Sequence, residues 1–191
     1  MIPIILASGS AYRLRQLQQL QLDVQTQTAG VDETLIFNES PPDRAGRLAI
    51  AKANKVKNQH KAAIVIGSDQ VCALGHRIYR KPGNRENNLQ QLRDFSGQTV
   101  VFYTALCVLG ADDHQHFHIN ETKVQFRCLS ETEIIRYVDK EQAYDCAGGF
   151  KMERLGLSLM ASVSSDDPSA LMGLPLIQLC AFLRELGVEL P

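Results

Sequence analysis

The stretch AIVIGSDQV, residues 63–71, decides the fold of this chain. Its first four residues form an apolar run that is typical of a strand buried on both faces and is too short to span a membrane. Gly67 and Ser68 end the run, and Asp69 follows at once. Because ligands of open α/β sheets bind beyond the carboxyl ends of strands, we expect Asp69 to face a substrate or a metal. An aspartate that merely caps the next turn is the alternative.

Length, charge and cysteine content limit the class of protein. The 191 residues contain no Gly/Ser/Pro-rich linker, so we expect one domain over 1–191, with a bilobed form left open. A net charge of −1 gives no overall attraction to nucleic acid or an anionic membrane. Five scattered cysteines without a Cys-x-x-Cys pair argue against a disulfide framework and a structural zinc site. No signal-peptide pattern is present, so we expect a cytoplasmic protein.

A small-residue turn near the start of the chain predicts an anion site. An apolar strand over 2–7 is followed by the turn 8–13 and then by leucines at helical spacing. Free backbone N–H groups at such a helix start, two hydroxyl groups and the guanidinium of Arg13 could cradle an anion. The alternative is an ordinary turn in which a serine caps the helix. A P-loop is excluded because its spacing is absent.

Charged residues in the next segments could serve the same site. Glu33 lies in an acidic loop that is either solvated or supplies oxygen ligands to a divalent cation. The segment 43–57 has helical periodicity, and Lys52 falls inside its apolar stripe. Such a lysine either snorkels to the surface or points into a cleft that holds an anion. Lys81 precedes a proline, which favours an extended backbone there.

The second half of the chain predicts a mixed sheet. In order, the pattern predicts a helix over 86–95, a strand over 99–109, a turn over 110–114, a returning strand over 115–128, a helix over 130–139, a strand over 156–163 and a helix from Pro175. The hairpin adds antiparallel strands to the earlier βα pattern. We therefore predict an α/β fold with a mixed, largely parallel central sheet, flanking helices and a cleft between two lobes.

Two further motifs remain open. His114, His116 and His118 alternate along a strand and could bind zinc or nickel, but a solvated face is favoured and we assign them no role. The glycine loop 146–150 lets the backbone approach either a ligand or a neighbouring element.

The cations and carboxylates of the earlier segments could together hold a polyphosphate with a divalent metal. One carboxylate could also accept a proton from water, which indicates a phosphate-ester or nucleotide hydrolase.

Seven short motifs add a family resemblance. They are Leu6–Ser10 with Arg13, Val31–Glu33, Gly67–Val71, Lys81-Pro82, Phe102–Thr104, Ala147-Gly148 and Gly173–Leu176. Together they resemble the Maf family of nucleoside triphosphate pyrophosphatases, nearly end to end and in that family's order. The resemblance implies a Maf/ITPase-like cleft fold, cleavage between the α and β phosphates, and a divalent cation such as Mg²⁺ or Mn²⁺. A nucleoside triphosphate is the expected partner, no nucleic acid polymer or membrane is expected, and a homodimer is left open.

The resemblance also implies roles for particular residues. By position, Asp69 would be the general base and would hold the metal together with Glu33. The residues implied in phosphate binding are Ser8, Arg13, Lys52 and Lys81.

Two departures from the common family pattern indicate a subfamily. Ala11-Tyr12 replaces the usual Pro-Arg, and Glu153 replaces a glutamine. With Gln70 after the aspartate, these residues resemble the subfamily that hydrolyses 7-methyl-GTP. A carboxylate can accept the N1–H and amino group of guanine, and Tyr12 could stack on the cationic base by a contact worth about 0.5–2 kcal/mol. A surface tyrosine and a solvated glutamate are the plain alternatives.

Two other functions compete with this one. The first is a pyrophosphatase for dTTP and UTP, or one of broad specificity. The second is a non-catalytic nucleotide-binding regulator of cell division, because the family name derives from the inhibition of septum formation. An intact general base argues against the second.

Overall fold

The computed structural model describes residues 2–112 and 114–190. The strands are β1 (Ile4–Leu6), β2 (Val24–Thr26), β3 (Ile64–Leu74), β4 (Arg77–Tyr79), β5 (Thr99–Leu109), β6 (Gln115–Phe126) and β7 (Met160–Ser164). The α-helices are α1 (Ala11–Gln19), α2 (Pro41–Lys57), α3 (Arg85–Phe95), α4 (Glu131–Glu141) and α5 (Leu176–Glu185). Short 3₁₀ helices cover Ala147–Gly149, Leu155–Leu159 and Pro168–Met172. The expected domain 1–191 and turn 110–114 each include residues outside the described part of the chain.

The seven described strands form one mixed sheet. Six of them run in the order β2-β1-β3-β5-β6-β7, and β4 pairs with β3 beside this path. The pairs β1-β2 and β1-β3 are parallel, and the other four pairs are antiparallel. The predicted α/β class with a mixed sheet is confirmed. Its parallel part is smaller than the sequence suggested, because the long strands β5 and β6 extend the sheet by hairpin pairing.

The predicted end of the central strand is wrong. Strand β3 continues through Gly67 to Leu74, and Asp69 pairs with Ala105 in the middle of it. The opposite edge of β3 explains why Asp69 is still available. There β1 pairs with β3 only up to Ile66, and β4 pairs with it only from Cys72 onward. Asp69 therefore lies in a gap between two neighbouring strands.

Gly67 has a packing role instead of ending the strand. A Cβ atom at this position would lie 2.4 Å from the carbonyl oxygen of Ala49 and 2.7 Å from Cβ of Ala53, both in α2. The missing side chain lets α2 lie directly on β3, with its small apolar face buried. The inward stripe predicted from the sequence is thereby confirmed, and it carries Lys52 toward Asp69.

Three apolar clusters divide the interior. One fills the space under α2, and a second lies under α1 and α5 on the other side of β1 and β3. The third contains aromatic side chains from β4–β6, α3 and the loop after α4, including Phe95, Phe102, Phe126 and Phe150. Residues of the first and third clusters line the cleft, including Ala29 and Phe102. No helix in the described part of the chain is both long and apolar enough to cross a membrane.

The predicted strand over 156–163 begins too early. Residues 155–159 form a 3₁₀ helix, and strand pairing with β6 starts at Met160. The backbone N–H of Gly156 donates to the carbonyl oxygen of Lys151 at 3.0 Å, which closes a tight turn before the strand. This local hydrogen bond competes with extended structure over the first residues of the predicted strand.

Candidate active site in the cleft

A cleft of about 890 Å³ lies beside the gap in the edge of β3, within the usual size range of small-molecule sites. Every site residue that the sequence predicted lies in its wall. These residues are Ser8, Tyr12, Arg13, Glu33, Lys52, Asp69, Gln70, Lys81 and Glu153. They come from α1, α2, β3 and several loops, so the fold gathers them from most of the chain.

A three-residue charge cluster forms the floor of the cleft. Nζ of Lys52 lies 2.6 Å from Oδ1 of Asp69 and 2.7 Å from Oε1 of Glu33. Lys52 and Asp69 have side chains only 13% and 12% exposed, whereas that of Glu33 is 55% exposed. Partial burial raises the pKa of Glu33, but the hydrogen bond and charge of Lys52 outweigh this and lower it overall. Lys52 therefore points into the cleft and does not snorkel.

Arg44 holds the loop that carries Glu33, and the sequence analysis missed it. Its guanidinium donates to the carbonyl oxygens of Glu33 at 2.5 Å and of Thr34 at 3.3 Å. It also pairs with Glu39 at 3.7 Å. Arg44 precedes Lys52 by two helical turns on the same face of α2, and both line the cleft. This helical spacing from Lys52 is the feature of the sequence from which Arg44 could have been predicted.

The turn before α1 combines a helix cap with an open set of donors. Ser10 is the N-cap, and its side chain accepts the N–H of Arg13. Oγ of Ser8 accepts hydrogen bonds from the N–H of Ser10 at 3.1 Å and from Nη1 of Arg13 at 3.3 Å. The backbone amides in the turn that have no partner among the described residues are those of Gly9, Ala11 and Tyr12. The two alternatives for this turn, cap and anion cradle, are thus compatible.

Arg13 is fixed from the far end of the chain. Its Nε donates to the carbonyl oxygen of Gly173 at 3.0 Å, and the same oxygen accepts Oγ–H of Ser68 at 2.8 Å. Burial lowers the pKa of Arg13, and the negative charges of Asp69 and Glu33 oppose that effect. The guanidinium stays charged because its ordinary pKa is so high. It therefore places a fixed positive charge beside the turn.

Tyr12 has one ring face occupied. The guanidinium carbon of Arg15 lies 5.2 Å from its ring centroid, and the thiol of Cys146 donates to its hydroxyl oxygen at 3.6 Å. Burial raises the pKa of Tyr12, with further contributions from Cys146 and the acidic groups of Asp145 and Glu153. The phenol is therefore neutral and held in place. A planar group in the cleft could stack only on the other face.

The amide nitrogen of Gln70 is engaged within the protein. Nε2 donates to Oγ1 of Thr104 at 2.9 Å and to the carbonyl oxygens of Ala170 and Leu171 at 3.0 and 3.1 Å. The hydroxyl of Thr104 itself donates to Ala170, so the amide orientation follows from the network. Gln70 thus fixes the 3₁₀ helix behind the cleft wall.

Glu153 and Lys81 lie on the outer part of the cleft. Both are exposed, and neither forms a hydrogen bond or ion pair with another of the described residues. The charge of Lys81 is among the causes that lower the pKa of Glu33. Their free side chains can reach a molecule in the cleft without breaking an existing contact.

The sequence matches the family model described as Maf-like protein over residues 3–186. The chain belongs to the Maf family. It is 50% identical to the 7-methyl-GTP pyrophosphatase of Aromatoleum aromaticum, over 98% of this chain and 97% of the relative. It is 45% identical to the protein of the same name from Idiomarina loihiensis, over 98% and 96% of the two chains.

Solved structures support the fold of this Maf-family chain at much lower sequence identity. The HAM1 protein of Coxiella burnetii has a TM-score of 0.55 and 15% identity, covering 97% of this chain and 100% of that one. The Ham1 protein of Staphylococcus aureus has a TM-score of 0.52 and 13% identity, covering 96% and 98%. Identity this low shows the shared fold and nothing finer.

The two open motifs lie outside the charge cluster. The ring of His116 stacks on Phe182 at 4.9 Å, and its Nδ1 lies 3.3 Å from Glu185, so it contacts α5 instead of the cleft. Among residues 2–112 and 114–190, no group of three or more His, Cys, Asp and Glu residues is arranged to hold a metal. Cβ atoms at Gly148 and Gly149 would lie 2.7 and 2.2 Å from neighbouring side chains, so these glycines let the loop approach a packed element. Cys146, Ala147 and Phe150 of the same loop line the cleft.

Proposed function

We propose that this protein is a nucleoside triphosphate pyrophosphatase that hydrolyses 7-methyl-GTP to 7-methyl-GMP and diphosphate. The observation that carries the proposal is the contact of one lysine, Lys52, with both Asp69 and Glu33 inside a cleft that also contains the anion turn. The choice of 7-methylguanine as the nucleobase is supported by relatives named 7-methyl-GTP pyrophosphatase, which are 43–50% identical over nearly the whole chain.

Asp69 acts as the general base in this proposal. Its Oδ1 is bound by Lys52, whereas Oδ2 has no hydrogen-bond partner among the described residues. Oδ2 accepts a proton from water as the water oxygen attacks the α-phosphorus. The bond from that phosphorus to the α–β bridging oxygen breaks, and diphosphate leaves. The hydroxyl group from water remains on the nucleoside monophosphate.

The phosphate groups bind between the turn before α1 and the opposite wall. The free amides at the start of α1 and the fixed guanidinium of Arg13 neutralise one side of the chain of phosphates. Ser8 orients that guanidinium, and Lys81 reaches over from the other side. Lys52 then links the bound phosphates to the two carboxylates. This arrangement stabilises the charge that develops on the departing diphosphate.

The donor set of the cleft is compatible with a divalent cation. Mg²⁺ in nucleotide sites is commonly held by one or two carboxylates together with substrate phosphates. Asp69 and Glu33 supply two carboxylates that share one lysine, and more than half of the Glu33 side chain is exposed. When bound there, Mg²⁺ or Mn²⁺ would polarise a phosphoryl oxygen as a Lewis acid.

The guanine base of the substrate lies at the outer part of the cleft in this proposal. The free carboxylate of Glu153 accepts the N1–H and amino group of guanine, and the open face of Tyr12 stacks on the ring. Because N7-methylation makes the base cationic, both contacts favour 7-methylguanine over a neutral pyrimidine. Gln70 supports the wall behind the base through its amide contacts.

The first test is diphosphate release by the purified protein with Mg²⁺ or Mn²⁺, using 7-methyl-GTP, GTP, dTTP, UTP, CTP and ATP. A strong preference for 7-methyl-GTP is expected. Preference for dTTP or UTP would overturn the proposed selection of 7-methylguanine but would still support diphosphate release as the reaction. If no nucleotide releases diphosphate, the proposed enzyme activity is wrong, and a non-catalytic nucleotide-binding protein is favoured.

The Asp69→Asn variant tests whether Asp69 is the general base. We expect turnover to fall by at least about 1,000-fold, because an amide cannot accept the proton. Binding of 7-methyl-GTP, measured by calorimetry, should persist. Substantial turnover in this variant would exclude Asp69 as the base.

A further inference from the structure

Glu141, which lies outside the cleft, is an unusually placed carboxylate. It is the last residue of α4, and its side chain is completely buried. Burial disfavours a charged carboxylate, and the negative end of the helix dipole disfavours it again. Its helical neighbours at spacings of three, four and seven residues, Val138, Tyr137 and Ile134, are all buried on the same face of α4. An apolar residue would suit the position better for stability alone.

All partners of Glu141 belong to one short turn. Its Oε1 lies 3.2 Å from Nε of Arg154 and 3.7 Å from Nζ of Lys151. Its Oε2 accepts the backbone N–H of Leu155 at 3.2 Å. Oε1 has no well-formed hydrogen bond among the described residues, so these two cations are its compensation. Burial of Glu141 destabilises its charge, and the contacts that offset this effect all fix residues 151–155.

The same turn is closed by backbone hydrogen bonds. The carbonyl oxygen of Lys151 accepts the N–H of Arg154 at 3.2 Å and that of Gly156 at 3.0 Å. The N–H of Lys151 donates to the hydroxyl of Tyr137 at 3.1 Å. A Cβ atom at Gly156 would lie 2.4 Å from the Lys151 oxygen, so only glycine allows this closure. Both ends of the turn are thus attached to α4.

Glu153 lies midway between these two attachments. Lys151 and Leu155 on either side of it are bound to α4, whereas its own carboxylate is exposed at the cleft. We infer that Glu141 is a positioning residue for substrate specificity: it fixes the turn 151–155 so that Glu153 meets the edge of the guanine base. This inference rests on the proposed function, because it assigns a cause to the position of the base-reading carboxylate.

The inference distinguishes two halves of the substrate. Displacing Glu153 weakens contacts to the base, but it leaves the phosphate groups near Lys52 and Arg13. The Glu141→Gln variant should therefore bind 7-methyl-GMP about five- to tenfold more weakly, within the range expected for a misplaced pair of base-edge hydrogen bonds. Its affinity for inorganic diphosphate should stay within about twofold of the wild-type value. A purely structural role would weaken both ligands together or neither.

Calorimetric titrations of both ligands test this, with four further variants besides the wild type and Glu141→Gln. Glu153→Gln removes the base-reading group, and the double variant Glu141→Gln/Glu153→Gln should bind 7-methyl-GMP no more weakly than Glu153→Gln alone. Additive losses in the double variant would overturn the inference. Arg154→Ala removes an attachment through a side chain that is 63% exposed, and it should show a smaller loss of the same kind. Glu131→Gln at the other end of α4 is the matched control and should change neither affinity.

Failure of the inference can be told apart from failure of the proposed function. If the wild type does not prefer 7-methyl-GTP in turnover, the function is wrong. If it does prefer 7-methyl-GTP and Glu141→Gln binds 7-methyl-GMP as tightly as the wild type, the inference alone is wrong. Should Glu141→Gln fail to fold, Arg154→Ala decides the matter, since normal 7-methyl-GMP affinity in that variant contradicts the inference.

Discussion

Replacing Gly67 with alanine tests how α2 delivers Lys52 to the floor of the cleft. The added Cβ atom would lie 2.4 Å from the Ala49 carbonyl oxygen and 2.7 Å from Cβ of Ala53, whereas ordinary contacts begin at 3.4 Å. Neither neighbour can rotate away, because one atom is backbone and the other is fixed by it. The helix must therefore move back by about 1 Å for the variant to fold.

This displacement should affect both stability and catalysis. Overpacking of this kind costs about 1–3 kcal/mol in the free energy of unfolding. Lys52 follows Ala49 by one helical turn, so it moves with the helix, and its 2.6 Å contact with Asp69 stretches beyond hydrogen-bonding distance. A misplacement of about 1 Å in a catalytic group can cost roughly 100-fold in rate. We expect a loss of that order in kcat/KM for 7-methyl-GTP.

Urea unfolding followed by circular dichroism, together with steady-state kinetics, measures the two effects separately. The matched control is Gly46→Ala in the same helix, where the new Cβ would meet the tip of the Phe117 ring at 3.0 Å. That ring is 40% exposed and can turn aside, and alanine favours the helix by about 1 kcal/mol. Gly46→Ala should therefore keep stability and activity. Full activity in Gly67→Ala would refute the idea that the depth of α2 positions Lys52.

Two further predictions concern groups outside the charge cluster. Arg44→Gln should lower kcat/KM for 7-methyl-GTP about tenfold, because the carbonyl oxygen of Glu33 loses its donor and the loop loosens; unchanged kinetics would contradict this. The backbone N–H of Ser130, with Arg127, lowers the pKa of Glu133 to about 2. Its contribution to stability is therefore complete above about pH 4.5 and is lost as the pH falls toward 2. The difference in Tm between wild type and Glu133→Gln should shrink from pH 7 to pH 3, and a constant difference would show that Glu133 acts without its charge.

The parts of the fold that depend on local rules were predictable. Side-chain periodicity identified the inward stripe of α2, and within it the one lysine that faces the cleft. The helix predicted from residue 130 begins within one residue of α4, because Ser130 and Glu133 form a capping box there. The strand bounds 99–109 were predicted as they are found, because a long apolar strand needs no distant partner to be recognised.

Contacts between distant segments were not predictable from one sequence. Arg13 is fixed by Gly173, and nothing in either neighbourhood shows which atoms meet. Glu141 resembles an ordinary helix-terminal glutamate until the turn 151–155 is seen to fold onto it. The family resemblance as a whole, including its two departures, predicted all nine cleft residues, but their separate roles stay predictions until the variants are measured.

The position of Asp69 shows why local chemistry alone predicted an accessible carboxylate but misplaced it at the end of the strand. Gly67 and Ser68 are turn formers, so the sequence predicted a strand end. In the sheet, however, β5 pairs with β3 continuously from Val65 to Ala73, and this long ladder overrides the local preference. What ends at Ile66 is the neighbouring strand β1, not β3. A carboxylate held within a paired strand, beside a gap in its other edge, is more rigid than one in a turn. Such rigidity suits the general base that we propose, because that group must meet a water molecule in one fixed orientation.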